Sequence, residues 1–192
     1  MSLAARKRRV PSTSTSRHGD DARVRIGSNW CVYANDQRVF ALRIGVRVGA
    51  VHEPMHLSGL SHLLEHLLFK NKNTAKTRAL RDDIADIGGT VNASTGKDTT
   101  VYEIAVPSAA HAKAIDIMRR IVFCLKIDTK QLELEKDIVL QEKKQTANGI
   151  EEVFIRSAFT GTAYEKTVIG TETSIRRTRL HELHAYTTSN EK

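Results

Sequence analysis

The sequence predicts an α+β domain, an antiparallel or mixed sheet packed by helices. Three observations carry this expectation. Apolar stretches rich in β-branched residues recur at 30–34, 39–48, 90–95 and 99–106. Helical apolar periodicity marks 77–87, 107–125 and 129–148. Gly, Pro, Asn and Asp punctuate the joints between them.

Taken in order, Trp30 to Ala34 and Val39 to Val48 read as two strands about the turn signal Asn35-Asp36. Gly49 and Pro54 close the second strand, and Ser58 or Ser61 can cap the helix that follows. Thr77 to Ile87 reads as a second helix, stopped by Gly88-Gly89. Thr90 to Thr95 and Thr99 to Val106 form a hairpin around Gly96-Lys97-Asp98. Pro107-Ser108 starts a helix to about Leu125, with Ala114, Ile115, Met118, Ile121 and Val122 as its expected buried stripe. Asp128 caps a long helix from Thr129 to Asn148, which Asn148-Gly149 ends, and shorter helices occupy Glu151 to Ala158 and Arg179 to Tyr186.

A chain of 192 residues suffices for one domain with a substantial core. Its net charge of +8 is unevenly placed: residues 1–25 hold seven basic and two acidic side chains, which leaves +3 for the rest. A broad basic face for nucleic acid is therefore not expected. Residues 1–22 read as a basic disordered tail and 23–192 as the folded domain. The Arg- and Ser/Thr-rich tail also has the composition of an organellar transit peptide, although Pro11 and the Ser/Thr cluster interrupt any long amphipathic helix. No apolar run approaches the ~18–20 residues that span a bilayer, nor the apolar core of a secretory signal. Cys31 and Cys124 make no disulfide framework and read as buried thiols in a reducing compartment. The expected location is intracellular, in the cytoplasm or the mitochondrial matrix.

The chemistry concentrates in His62-Leu63-Leu64-Glu65-His66. On a helix, His66 lies about 40° and Glu65 about −60° from His62, so two imidazoles and a carboxylate share one face. Leu63, Leu64, Leu67 and Leu68 occupy the other. This is the H-x-x-E-H order of inverted zinc peptidases. Its surroundings resemble one family in particular, the pitrilysin/insulysin zinc peptidases, which include the mitochondrial processing peptidase. Gly59-Leu60-Ser61 leads into the motif and Phe69-Lys70 follows it. Gly88-Gly89-Thr-Val-Asn92-Ala-Ser-Thr95 and Asp98-Thr-Thr-Val-Tyr102 resemble the family's substrate-facing edge strand and its neighbour. Glu135-Lys-Asp-Ile-Val-Leu-Gln-Glu142, Ile169-Gly170-Thr-Glu-Thr-Ser-Ile175 and Tyr186-Thr-Thr-Ser-Asn190 match later landmarks in the same order.

The resemblance implies a pitrilysin-type peptidase domain with one zinc held by His62, His66 and Glu142. It implies Glu65 as catalytic base, Glu135 as a carboxylate near but not on the metal, and Asn92, Ala93 and Ser94 as the edge on which an extended peptide docks. Two neutral imidazoles and a carboxylate would leave zinc an open position for a water, whose pKa falls to about 7 there. His52, Glu53 and His56 are expected to be structural or to support the site, and His181 and His184 to be surface residues. Asn71 stands where the family usually has Gly, and 160–167 is shortened. The sequence stops before the family's final strands, and its Arg/Tyr pair has no counterpart, so the domain is expected to be truncated. A homo-oligomer or a second peptidase-like subunit is the expected partner. The alternative function is a non-catalytic, peptide-binding or assembly subunit.

Overall fold

A computed structural model describes residues 13–18, 21–26, 29–35, 38–70, 79–124, 126–146 and 150–190. Its described strands are β1 (Thr13–His18), β2 (Asp21–Ile26), β3 (Asn29–Asn35), β4 (Val39–Val46), β5 (Thr90–Thr95) and β6 (Thr100–Pro107). They form one antiparallel sheet in the order β1-β2-β3-β4-β6-β5. The helices are α1 (Leu60–Phe69), α2 (Leu80–Asp86), α3 (His111–Phe123), α4 (Thr129–Thr146), α5 (Ile150–Ala158), α6 (Glu172–Arg177) and α7 (Leu180–Asn190). Among the described residues no helix is long and apolar enough to cross a membrane.

Period-two patterning decides which face of the sheet is covered. Phe40, Leu42 and Ile44 of β4 and Tyr102, Ile104 and Val106 of β6 are buried. Their alternates include Arg43 and Glu103, directly opposed in register and ion-paired on the open face. Against the buried face pack Leu80 and Ile84 of α2, Leu68 of α1, and Ala114, Ile117, Met118 and Ile121 of α3. The α3 stripe thus follows i, i+3, i+4, i+7 from Ala114, and the expected burial of Ile115 is corrected. Ile115 is 45% exposed, and Val122, seven residues on, is only half-buried on the same flank.

A second apolar cluster joins the helices to one another. It contains Leu57, Leu60, Leu63 and Leu67 around α1, Leu132, Val139 and Leu140 of α4, Ile127, Ile175 of α6, and Leu183 and Tyr186 of α7. Asp128 caps α4 as expected, its Oδ1 accepting from the Gln131 N–H at 2.7 Å. The helix α6 was not expected, although its capping box could be read: Thr171 Oγ1 accepts from Ser174 N–H and Ser174 Oγ from Thr171 N–H, each at 3.1 Å.

The tail expectation also needs correcting. β1 and β2 cover Thr13–His18 and Asp21–Ile26, residues read in part as disordered. Composition misled, because an edge strand in an antiparallel sheet needs few apolar residues, and Thr13 and Thr15 are β-branched. Residues 1–12 lie outside the described residues, as do the turn signals Asn35-Asp36 (at Asp36) and Asn148-Gly149.

Two glycines fix how the start of α1 meets the loop before α6. Gly59 (φ 94°) and Gly170 (φ 77°) are both left-handed and lie against each other. A Cβ on Gly170 would fall 2.2 Å from the Ser58 carbonyl oxygen and 2.6 Å from Gly59 Cα. The Ser174 hydroxyl closes the joint by donating to the same Ser58 oxygen at 2.5 Å. Gly161 is left-handed too (φ 79°), but a Cβ there would meet nothing within 4 Å. Gly161→Ala should therefore lose only the left-handed penalty of about 1–2 kcal/mol. Gly170→Ala should lose clearly more in urea unfolding, and equal losses would show that the backbone contact is unimportant.

Candidate metal centre and its neighbouring strand

Helix α1 is held from two sides. Leu60, Leu63 and Leu67 enter the helical cluster, Leu68 enters the sheet cluster, and Leu64 packs on both. What remains is the face carrying His62, Glu65 and His66. The two imidazoles, one turn apart, meet edge to face, with centroids 4.7 Å apart and planes at 73°. Across from them runs α4, whose Leu132, Val139 and Leu140 are buried. The same inward orientation brings Glu135 and Glu142, two turns apart, to the histidines.

Glu142 faces both rings. Its Oε1 lies 3.7 Å from His62 Nε2, and its Oε2 lies 3.4 Å from His66 Nε2. Donor atoms of His62, His66 and Glu142 all lie within 4.8 Å of one another. Tetrahedral ligands about 2.1 Å from a zinc ion are separated by about 3.4 Å, and each histidine lies near that spacing from one of the two Glu142 oxygens. The two nitrogens and one carboxylate oxygen are also a donor set that zinc takes. Glu135 instead faces the other nitrogen of His66, its Oε2 3.6 Å from Nδ1, and also approaches Lys70 Nζ at 3.9 Å. A carboxylate there favours a proton on Nδ1 and leaves Nε2 as the donor atom. His62 Nδ1 is buried with no hydrogen-bond partner among the described residues. Packing, rather than a hydrogen bond, places that ring.

The two histidines are electrostatically unequal. Burial pushes the His62 pKa down, with the neighbouring His66 adding to it and Glu142 and Glu65 opposing. Contact with Glu135 pushes the His66 pKa up, outweighing its burial, and Glu142 and Glu65 add to the rise. His62 is thus biased toward the neutral form that ligates metals, and His66 toward the protonated form with which a metal ion competes.

Beside the histidines opens a cleft of about 270 Å3 that includes Glu65, His66, Phe69, Arg81, Asn92 and Glu135 in its walls. One wall is β5, which pairs only with β6 and so leaves its other edge without a strand among the described residues. Asn92 and Ser94 are exposed, and Ala93 packs against the sheet cluster, so the three share a strand but not a face. Thr95 donates its hydroxyl to Glu65 Oε2 at 2.5 Å. The sequence does not name that contact: β5 periodicity places Thr95 on the side of the inward Val91 and Ala93 but does not identify its partner 30 positions away.

The helix cap differs from the expected one. Neither Ser58 nor Ser61 caps α1 through its side chain. Glu53, nearly fully buried, accepts from the Gly59 N–H at 2.6 Å and the Ser61 N–H at 2.7 Å. A carboxylate on two free N–H groups at a helix start is favoured by hydrogen bonding and by the helix dipole. Burial nevertheless pushes the Glu53 pKa up, outweighing those two bonds and the nearby Lys166. The Ser61 hydroxyl pairs with Tyr186 Oη at 2.9 Å, tying α1 to α7. His52 Nδ1 accepts from Gly49 N–H at 3.2 Å. His56 lines a separate cleft with Lys136, Arg177 and His181, away from the histidine pair. His181 and His184 are exposed, and Cys124 is half-buried rather than buried.

Comparison with known proteins gives this geometry its family. The profile of the insulinase family, peptidase family M16, matches residues 31–173. The chain belongs to the M16 peptidases. It is 35% identical over 115 residues to a zinc protease of Bacillus subtilis, covering 59% of this chain and 28% of that protein. It is 27% identical over 147 residues to a probable mitochondrial-processing peptidase subunit beta of Arabidopsis thaliana, covering 74% of this chain and 28% of that protein. Crystallised pitrilysin superposes with a TM-score of 0.76 at 17% identity, covering 95% of this chain and 22% of that one. The chain thus spans about a third of the length of the curated relatives it matches. The expected α+β peptidase-type fold is the one observed.

Glu53→Ala should lower stability by about 2–4 kcal/mol, because it strands two N–H donors at the start of α1. Since the fold raises the Glu53 pKa, wild-type stability from this group is full below the ordinary carboxylate range and falls as pH rises through the raised value. Glu53→Gln should abolish that slope in unfolding titrations. A wild-type slope retained in Glu53→Gln would place its origin elsewhere.

Proposed function

We propose that this chain is the metal-bearing domain of a zinc-dependent endopeptidase that cleaves extended peptides with the help of a further domain or subunit. The observation that carries the reading is the meeting of His62, His66 and Glu142 beside Glu65 in an M16 family member. His62 and His66 would supply Nε2 donors and Glu142 a carboxylate oxygen. Zinc bound there would polarise the scissile carbonyl and make a water acidic enough to attack at neutral pH. Glu65 would take the water's proton and return it to the leaving amine. Glu135 would hold the His66 ring through Nδ1. A peptide laid on the free edge of β5, against Asn92, Ala93 and Ser94, would gain main-chain hydrogen bonds and cross the cleft beside Glu65.

The need for a partner is supported by relatives named as subunits. A second copy or a peptidase-like subunit fits equally, and an enclosing partner would supply desolvation and orientation. Mitochondrial-processing relatives favour a mitochondrial location, and bacterial zinc proteases among the relatives leave a cytoplasmic one open. The second reading, a non-catalytic peptide-binding or assembly subunit, is supported on the assembly side by 25% identity over 181 residues to a bovine protein named as cytochrome b-c1 complex subunit 1. The intact set of ligands and base speaks for catalysis, because an assembly role has no use for all four.

Glu65→Gln should keep zinc and lower hydrolysis of a quenched peptide by about 10²–10⁴-fold, because the amide cannot take the proton. His62→Ala and Glu142→Gln should instead lose zinc on dialysis. Glu135→Gln should weaken zinc binding by about 10- to 100-fold. Release of zinc by Glu135→Gln but not by Glu142→Gln would exchange the roles of the two glutamates. Specific activity should rise with chain concentration or on adding the partner, and a monomer of constant activity would remove the need for one.

A further inference from the structure

We propose that Thr95 is a positioning residue for Glu65, setting the base relative to the strand edge beside it; the inference rests on the peptidase reading. Thr95 is the last paired residue of β5 before the hairpin turn, opposite Thr100. Period two turns its side chain to the same side as Val91 and Ala93, which pack against the sheet cluster. From there the hydroxyl reaches Glu65 Oε2 at 2.5 Å. No other hydrogen bond to the Glu65 carboxylate is found among the described residues, so Oε1 is the oxygen left to accept a proton. A carboxylate on an otherwise mobile side chain gains a single orientation from this one donor.

The donor itself stands on a rigid support. The turn after Thr95 is closed by Gly96 N–H to the Thr99 carbonyl at 2.8 Å. It is pinned from outside by Ala50 N–H to the Gly96 carbonyl at 3.2 Å and Val51 N–H to the Lys97 carbonyl at 3.0 Å. Lys97 Nζ donates to the carbonyls of Tyr164 and Lys166, and Tyr164 Oη donates to Asp98 Oδ1 at 2.6 Å. Lys166 Nζ continues the chain to the carbonyls of Val51 and Glu53. Glu53 in turn caps α1, the helix that carries Glu65. The hydroxyl and the carboxylate it holds are therefore fixed to one connected scaffold. The strand that presents Asn92 to Ser94 to a peptide also fixes the base, which sets the distance between the docked main chain and Glu65.

Two independent arms test this. In the metal-free full chain, Thr95→Val, Glu65→Ala and the double variant are compared by thermal unfolding. A real contact predicts that the double variant loses less than the two single losses combined. Additive losses would overturn the inference whatever the activity. In the zinc-loaded chain with its partner, Thr95→Val should lower kcat about 10- to 100-fold with KM changed less than about twofold and zinc content unchanged. Thr95→Ser, which keeps the hydroxyl, should restore most of kcat. An unchanged kcat in Thr95→Val, or a Thr95→Ser no better than Thr95→Val, would overturn the inference and leave the peptidase reading standing. A wild type that binds zinc yet cleaves no peptide, with coupled unfolding losses, would overturn the peptidase reading and the positioning role together.

Discussion

The placement of helix α1 between two apolar clusters is the constraint on which the rest of the molecule depends. Four leucines on a ten-residue helix are buried at 4% exposure or less, and each contributes about 1.5–3 kcal/mol on transfer from water. Because these leucines fill both clusters, the helix cannot rotate about its axis without exposing one of them. The face left over must then carry His62, Glu65 and His66. Axial position is fixed separately, by the Glu53 carboxylate at the helix start and by the contact of Gly59 with Gly170. Polar chemistry is thus oriented here by apolar packing, which explains how His62 can hold its place with Nδ1 lacking a partner among the described residues.

Much of this was legible from local pattern. The helix periodicity around His62, the hairpin at Gly96-Lys97-Asp98 and the Asp128 cap all depend on residues near one another in the chain, and each was found where expected. The meeting of Glu142 with the histidines is a contact across 76 to 80 positions, which no local rule supplies; it was reached only through resemblance to a family. Glu53 shows the same limit from the other side. A buried acid that caps a helix six and eight residues away has no signature in composition, whereas hydroxyl residues near the helix start match the local cap pattern without serving as the cap. The β1–β2 hairpin escaped because polar composition predicts solvation, while strand pairing depends on the backbone.

The two flanks of the histidine pair differ in a way that bears on chemistry. Glu135 is buried and faces Nδ1 of His66, whereas Glu142 is about two-fifths exposed and faces the Nε2 atoms of both rings. A buried carboxylate with one imidazole and one lysine for company suits orientation. A half-exposed carboxylate shared by two imidazoles suits an ion that exchanges with solvent and keeps a position for water. The edge of β5 that carries no strand among the described residues would add the remaining element of the proposed peptide site, since unpaired main-chain groups can recognise another main chain without regard to its side chains.

The central claim is that one zinc ion joins α1 to α4 through His62, His66 and Glu142. Anomalous diffraction collected on either side of the zinc absorption edge, from crystals of protein purified without added metal, tests it most directly. The account predicts a single anomalous peak about 2.0–2.2 Å from an Nε2 atom of each histidine and an oxygen of Glu142, with Glu135 outside that shell. Crystals without a zinc peak, or a peak held by Glu135 in place of Glu142, would contradict it.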